Sequence, residues 1–210
     1  ETVTGSVQTF TTATAGVTLL FNTDFAGLAA GDPWPAEWEQ STTKNGVIDV
    51  DATERGRIFS ENDWSGARVV TANDVIGADQ RLFMTGVQFD LLNSKRIIFG
   101  LRANADDLSN QASSYALKWN GAFQVYEFGL DGDNGDGELY PVIRYRSDVD
   151  GEVPIVEDQT IRFDENLTYN IMCEVEGSRL NFFVWEQGTG QPANPTLSAQ
   201  DSLLNSPGGM

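Results

Sequence analysis

Apolar and polar residues alternate on both sides of Gly177-Ser178, between Tyr169 and Trp185. Glycine at the first of these two positions suits a type II′ turn, which requires a positive φ there. Strand side chains point alternately to the two faces of a sheet, so one face of this segment is apolar and the other is mixed. The segment predicts a half-buried antiparallel hairpin with three apolar pairs, which are Val175 and Leu180, Cys173 and Phe182, and Ile171 and Val184.

Short apolar segments separated by turn residues continue through most of the chain. Asn120-Gly121 is typical of a two-residue hairpin turn, so we expect residues 115–119 to pair with residues 122–128. We also expect residues 81–90 to pair with residues 96–103. Long helical periodicity is missing, and the pattern favours an all-β antiparallel sandwich or barrel. Further predicted strands are 17–21, 47–50, 57–59, 67–71, 142–146 and 160–163.

The chain divides into a short N-terminal segment and one large β domain. Residues 1–16 are rich in threonine and are expected to form an N-terminal arm or an edge strand. Residues 17–210 have the length of a single β-sandwich domain. Because the last residues resemble a turn interrupted before another strand, we expect this domain to be part of a larger protein.

Charge and composition exclude several classes of function. The chain carries 31 Asp and Glu against 13 Lys and Arg, a net charge of −18, which disfavours nucleic-acid partners. It contains no histidine, which excludes Ser-His-Asp and Cys-His catalysis and histidine-ligated zinc. The single cysteine, Cys173, is expected in the core. No apolar run reaches the length of about 18 residues that a membrane-spanning helix needs, so membrane insertion is not expected.

Three patterns occur in a fixed order along the chain, namely Leu20–Gly27 followed by Trp38, Phe99–Asp107 followed by Tyr115, and Leu167–Val184. Together they resemble the concanavalin A-like lectin and glucanase family, which includes laminin-G-like domains. The third pattern is similar to the penultimate hairpin of these domains. The resemblance spans residues 18–186 and implies a jelly-roll β-sandwich.

The glucanases of that family carry Glu-x-Asp-x-x-Glu on one strand, which puts their catalytic carboxylates on one face. This chain has no such motif, because Gly66 stands where Glu61-Asn-Asp63 would need a third carboxylate. We therefore expect a protein that is not an enzyme. Carboxylates from separate strands, about 5 Å apart, are the alternative arrangement that would give a glycosidase.

An acidic loop, Asp131-Gly-Asp-Asn-Gly-Asp-Gly-Glu138, alternates carboxylates with glycine. Such spacing is typical of loops that surround calcium with hard oxygen ligands. We predict calcium as a cofactor, with Asp131, Asp133 and Asp136 as ligands. The alternative is a hairpin loop that is acidic only because it is solvated.

The resemblance also implies a sugar-binding sheet face. If Leu101 and Val125 face the core, Arg102, Lys118, Gln124 and Tyr126 share the opposite face. Tyrosine offers a ring for stacking there, and arginine offers several hydrogen-bond donors. The predicted glycan-binding residues are these four together with Trp64, which lies in a polar loop at the rim.

Three functions follow from these observations. The first is a non-catalytic glycan-binding or adhesion module of an extracellular, cell-surface or virion-surface protein, with a polysaccharide or glycoconjugate as its partner. The second is a structural domain of a larger assembly, of the phage-tail or capsid-decoration type, whose partners are neighbouring subunits. The third is a hydrolase or lyase that acts on polysaccharide.

Overall fold

The computed structural model describes residues 2–7, 23–42, 46–60, 67–71, 79–89, 96–112, 117–132, 139–164 and 166–204. All regular structure in these ranges is β-strand, and none of it is helical. The strands are β1 Thr2–Val7, β2 Trp38–Thr42, β3 Gly46–Val50, β4 Gly56–Ser60, β5 Ala67–Thr71, β6 Gln80–Phe89, β7 Arg96–Ala112, β8 Leu117–Gly132, β9 Leu139–Ser147, β10 Gly151–Glu157, β11 Thr168–Glu176, β12 Arg179–Glu186 and β13 Leu197–Gln200. Within the described ranges, no helix is long and apolar enough to cross a membrane.

The strands form three antiparallel sheets. The largest has seven strands in the order β13-β12-β11-β6-β1-β4-β3, the second has four in the order β10-β9-β8-β7, and β2 pairs with β5. One apolar core receives side chains from both larger sheets. Phe128 of β8 and Phe182 of β12, for example, meet edge to face with their ring centroids 5.9 Å apart. The protein is therefore all-β, with an arrangement consistent with a β-sandwich.

The hairpin of β11 and β12 confirms the prediction for this part of the chain. Val175 lies opposite Leu180, and the other two predicted apolar pairs also face each other. Gly177 has a φ of 56°, as the predicted turn requires. Cys173 is fully buried in the core. Burial, and then the charge of Glu174, raises the pKa of its thiol well above the usual value.

Two of the predicted strand pairings are wrong. Strand β6 pairs with β1 and β11, whereas β7 belongs to the other large sheet and pairs with β8. Asn120-Gly121 does not form a turn, because β8 runs straight through it. The chain instead reverses between β7 and β8, and residues 105–112 continue β7.

The remaining strand predictions have mixed outcomes. Strands β3, β4, β5 and β9 confirm four of them. Residues 160–163 contribute only an isolated bridge at Phe163, and residues 17–21 lie outside the described residues. Strand β1 lies between β6 and β4, so Thr2–Val7 is an interior strand and not an edge.

Candidate functional site

A buried polar network holds the segment that follows β13 against β8. The hydroxyl of Tyr126 donates to Asp201 Oδ1 at 2.7 Å and accepts from the backbone N–H of Leu204 at 3.0 Å. Asp201 Oδ1 also accepts from the backbone N–H of Leu203 at 2.7 Å. Burial, and then the hydrogen bond to Asp201, raises the pKa of Tyr126 to about 12. The phenol therefore stays protonated and serves as a donor to Asp201.

Arg102 extends this network to the edge of the large sheet. It has a φ of 51°, unusual for a residue with a side chain, and it sits where the register between β7 and β8 shifts after Leu101. Its backbone N–H donates to Gln80 Oε1 and its Nη1 donates to the carbonyl of Leu204, each at 2.5 Å. Its Nη2 lies 3.4 Å from Asp79 Oδ1. The Arg102 side chain is 2% exposed, so its guanidinium group is a buried cation whose partners are Leu204 and Asp79.

The expectation that Arg102 and Tyr126 lie on an exposed face is therefore wrong. Leu101 lies directly opposite Tyr126, and residues that face each other across an antiparallel pair point to the same side of the sheet. Leu101 and Tyr126 thus both face the core, while Val125 is buried on the other face. Arg102 is buried because the register shift at this position breaks the regular alternation.

The other predicted glycan-binding residues are only partly described. Lys118 and Gln124 lie on β8, opposite Gln111 and Asn104 of β7, and the positions of their side chains lie outside the described structure. Trp64 lies outside the described residues altogether. The structure thus brings Tyr126 and Arg102 into one buried network around the backbone of Leu204.

A second group of charged residues lies on the opposite face of the four-stranded sheet, and sequence reasoning missed it. Glu127 and Asp131 of β8, Arg144 and Arg146 of β9, and Glu152 of β10 form this charge cluster. Arg144 lies 2.5 Å from Asp131 Oδ2 and 3.0 Å from Glu152 Oε2. Arg146 lies 3.3 Å from Glu127 Oε1 and 3.4 Å from Glu152 Oε1. The sequence signal was the alternation of Arg144 and Arg146 within an otherwise apolar strand.

Two members of the charge cluster are deeply buried and incompletely satisfied. The side chains of Glu127 and Arg144 are each 5% exposed. Among the residues that the structure describes, Glu127 Oε2 and Arg144 Nε have no hydrogen-bond partner. Burial is the largest influence on the pKa of Glu127, and it raises that pKa despite the nearby Arg146. Glu127 is thus the least compensated carboxylate of the cluster.

Asp131, the first predicted calcium ligand, already has a cationic partner in Arg144. Asp133 and Asp136, the other two predicted ligands, lie outside the described residues. No group of three or more potential metal ligands occurs among the residues that are described. Calcium binding by the loop after β8 stays a prediction.

Comparison with known proteins gives no relative from which a role could be transferred, because no protein-family model, curated protein or solved structure matches this chain.

Proposed function

We propose that this chain is a non-catalytic structural domain of a larger extracellular or virion-type assembly, and that part of its β7–β8 pair contacts a neighbouring subunit. The observation that carries this proposal is a two-stranded ribbon. Strand β9 pairs with β8 only over residues 124–132. The β7–β8 pair continues beyond that point, from Ala105 opposite Phe123 to Ala112 opposite Leu117.

This ribbon, residues 105–112 with 117–123, is well suited to contact another chain. Its β8 part would extend roughly 23 Å at about 3.3 Å per residue. Neither of its edges pairs with a third strand among those the structure describes. A two-stranded ribbon by itself is marginally stable in water, and open strand edges readily pair with other chains. Contact with a neighbouring subunit would stabilise the ribbon and would cover its open edges.

The burial of two predicted sugar-binding residues, Arg102 and Tyr126, supports the same proposal. The Tyr126 hydroxyl and the Arg102 guanidinium are occupied by internal partners, so they offer neither an exposed ring nor free donors to a ligand. In this proposal, the domain has a structural role and acts without a bound ligand.

Light scattering over a range of protein concentrations tests this proposal. In a shortened variant, residues 105–123 are replaced by Asn-Gly, which joins Asn104 to its register partner Gln124. We expect the natural chain to self-associate or to bind its neighbour, and the shortened variant to remain monomeric with an unchanged melting temperature. Leu167→Ser is the control, because Leu167 is an exposed apolar residue just before β11, which belongs to the other large sheet. Equal association of the natural and shortened chains would overturn the proposal.

The second candidate is a glycan-binding or adhesion module with the jelly-roll topology of concanavalin A-like domains. The observation that favours it is the β11–β12 hairpin, the third segment of the family resemblance, which has the register that the sequence predicts. A glycan array tests it, with Trp64→Ala as the variant. Glycan binding by the natural chain that is lost in Trp64→Ala would favour this candidate. If the natural chain binds no glycan on the array, the result favours the structural role.

A further inference from the structure

Glu127 is a buried carboxylate in the middle of the charge cluster, and its side chain is 5% exposed. We propose that the cluster is a pH-sensitive lock between β8, β9 and β10, in which protonation of Glu127 tightens the four-stranded sheet. The inference does not depend on the proposed function, because it concerns only the stability of this sheet.

The lock rests on the unequal pairing within the cluster. Glu127 Oε1 lies 3.3 Å from Arg146, and Oε2 is buried without a hydrogen-bond partner among the described residues. Asp131 and Glu152 approach Arg144 more closely, at 2.5 Å and 3.0 Å. A buried carboxylate with an unpaired oxygen is costly, because neither water nor a donor replaces its hydration. The negative charge of Glu127 therefore opposes the folded state more than that of its neighbours.

Neutralising Glu127 leaves no cation of the cluster without a partner. Strand β7 presents only Gly100 opposite Glu127, so no side chain approaches from that position. Of the described charged residues around it, Arg146 keeps Glu152, and Arg144 keeps both Asp131 and Glu152. Three carboxylates and two guanidinium groups carry a net charge of −1, and protonation of Glu127 brings it to zero.

The direction of the effect follows from linkage. Burial raises the pKa of Glu127 in the folded state, and the negative charge of Glu152 adds to this, while Arg146 and Arg144 oppose it. A carboxyl whose folded pKa exceeds its unfolded pKa contributes stability at low pH, and this contribution is lost as pH rises through the folded pKa. Acidification from neutrality towards the unfolded pKa of glutamate therefore stabilises the sheet through this group.

Hydrogen exchange of β9 and β10 amides, expressed as protection factors, tests the lock between about pH 7.5 and about pH 5, a range above the pKa of an ordinary glutamate. In the natural chain we expect protection to increase severalfold on acidification. At both pH values, the amides of Glu127→Gln should be as strongly protected as those of the natural chain at about pH 5. Glu157→Gln is the matched control, since Glu157 lies exposed on β10 and its loss should leave the pH response intact.

Two results would overturn the lock. One is protection in the natural chain that stays constant or falls on acidification, and the other is a Glu127→Gln variant that responds to pH like the natural chain. If Glu127→Gln does not fold, carboxyl NMR on the natural chain decides the matter. A Glu127 titration midpoint above that of an exposed glutamate supports the lock, and a midpoint at or below it contradicts the lock.

Discussion

Tyr126 and Asp201 are joined by a 2.7 Å hydrogen bond although they lie 75 positions apart in the chain. The bond anchors the segment after β13 to the central part of β8. Asp201 also accepts a hydrogen bond from its own segment, through the backbone N–H of Leu203. One hydroxyl and one carboxylate thus position residues 201–204, with Arg102 holding the carbonyl of Leu204 from the other side.

Removing the Tyr126 hydroxyl should destabilise the protein while leaving the packed ring in place. Tyr126→Phe leaves the buried N–H of Leu204 without its acceptor, and an unsatisfied buried donor costs about 1–3 kcal/mol. Urea unfolding measures this loss. Tyr145→Phe is the control, because it removes a hydroxyl from the ring that packs against Tyr126 and leaves the N–H of Leu204 with its acceptor. Equal stability of the two variants would contradict the anchoring role of Tyr126.

A methyl group at Gly56 should disrupt the aromatic cluster formed by Phe25, Trp34 and Trp38. A Cβ at this position would lie 2.3 Å from the Phe25 ring and 2.7 Å from Trp34. Phe25 is 1% exposed and has little room to move, so Gly56→Ala should cost about 1–3 kcal/mol. Gly190→Ala, where a Cβ meets nothing within 4 Å, should have a much smaller effect in the same unfolding experiment.

The thiol of Cys173 should be unreactive in the native protein. It is fully buried, and burial raises its pKa, which removes the reactive thiolate. We expect a thiol reagent at pH 8 to label Cys173 only as fast as the protein unfolds, and to label it completely in denaturant. Rapid labelling without denaturant would show that the hairpin of β11 and β12 does not face the core.

Substitution of Asp131 distinguishes an ion-pair partner from a calcium ligand. Asp131→Asn should lower stability by about 1–3 kcal/mol in the presence of a chelator, because it weakens the pairing of the buried Arg144 while Glu152 remains. Glu186→Gln, which removes one exposed negative charge, serves as the control. The opposite result would identify Asp131 as a metal ligand instead. In that case Asp131→Asn would be as stable as the natural chain in chelator, and calcium would stabilise the natural chain but not the variant.

The β11–β12 hairpin could be predicted because its information is local. A two-residue turn at Gly177 fixes the register, and the alternation of side chains then assigns every residue to a face. The placement of Cys173 in the core follows from this register. This placement can be predicted without knowing any contact between residues that are distant in the sequence.

The surroundings of Tyr126 could not be predicted in the same way. The register of β7 and β8 shifts at three places, and each shift changes which residues share a face. Nothing in the local sequence marks the shift at Arg102. Its partners Gln80 and Leu204 lie 22 and 102 positions away, distances at which side-chain alternation carries no information.

Hydrogen exchange in the ribbon tests the proposed structural role most directly. In dilute monomer, the amides of residues 105–112 and 117–123 should exchange rapidly while those of β11 and β12 stay protected, because the ribbon has no third described strand to support it. On assembly, the same amides should become protected. Ribbon amides that are as protected in the monomer as those of β11, and unchanged on assembly, would contradict the account.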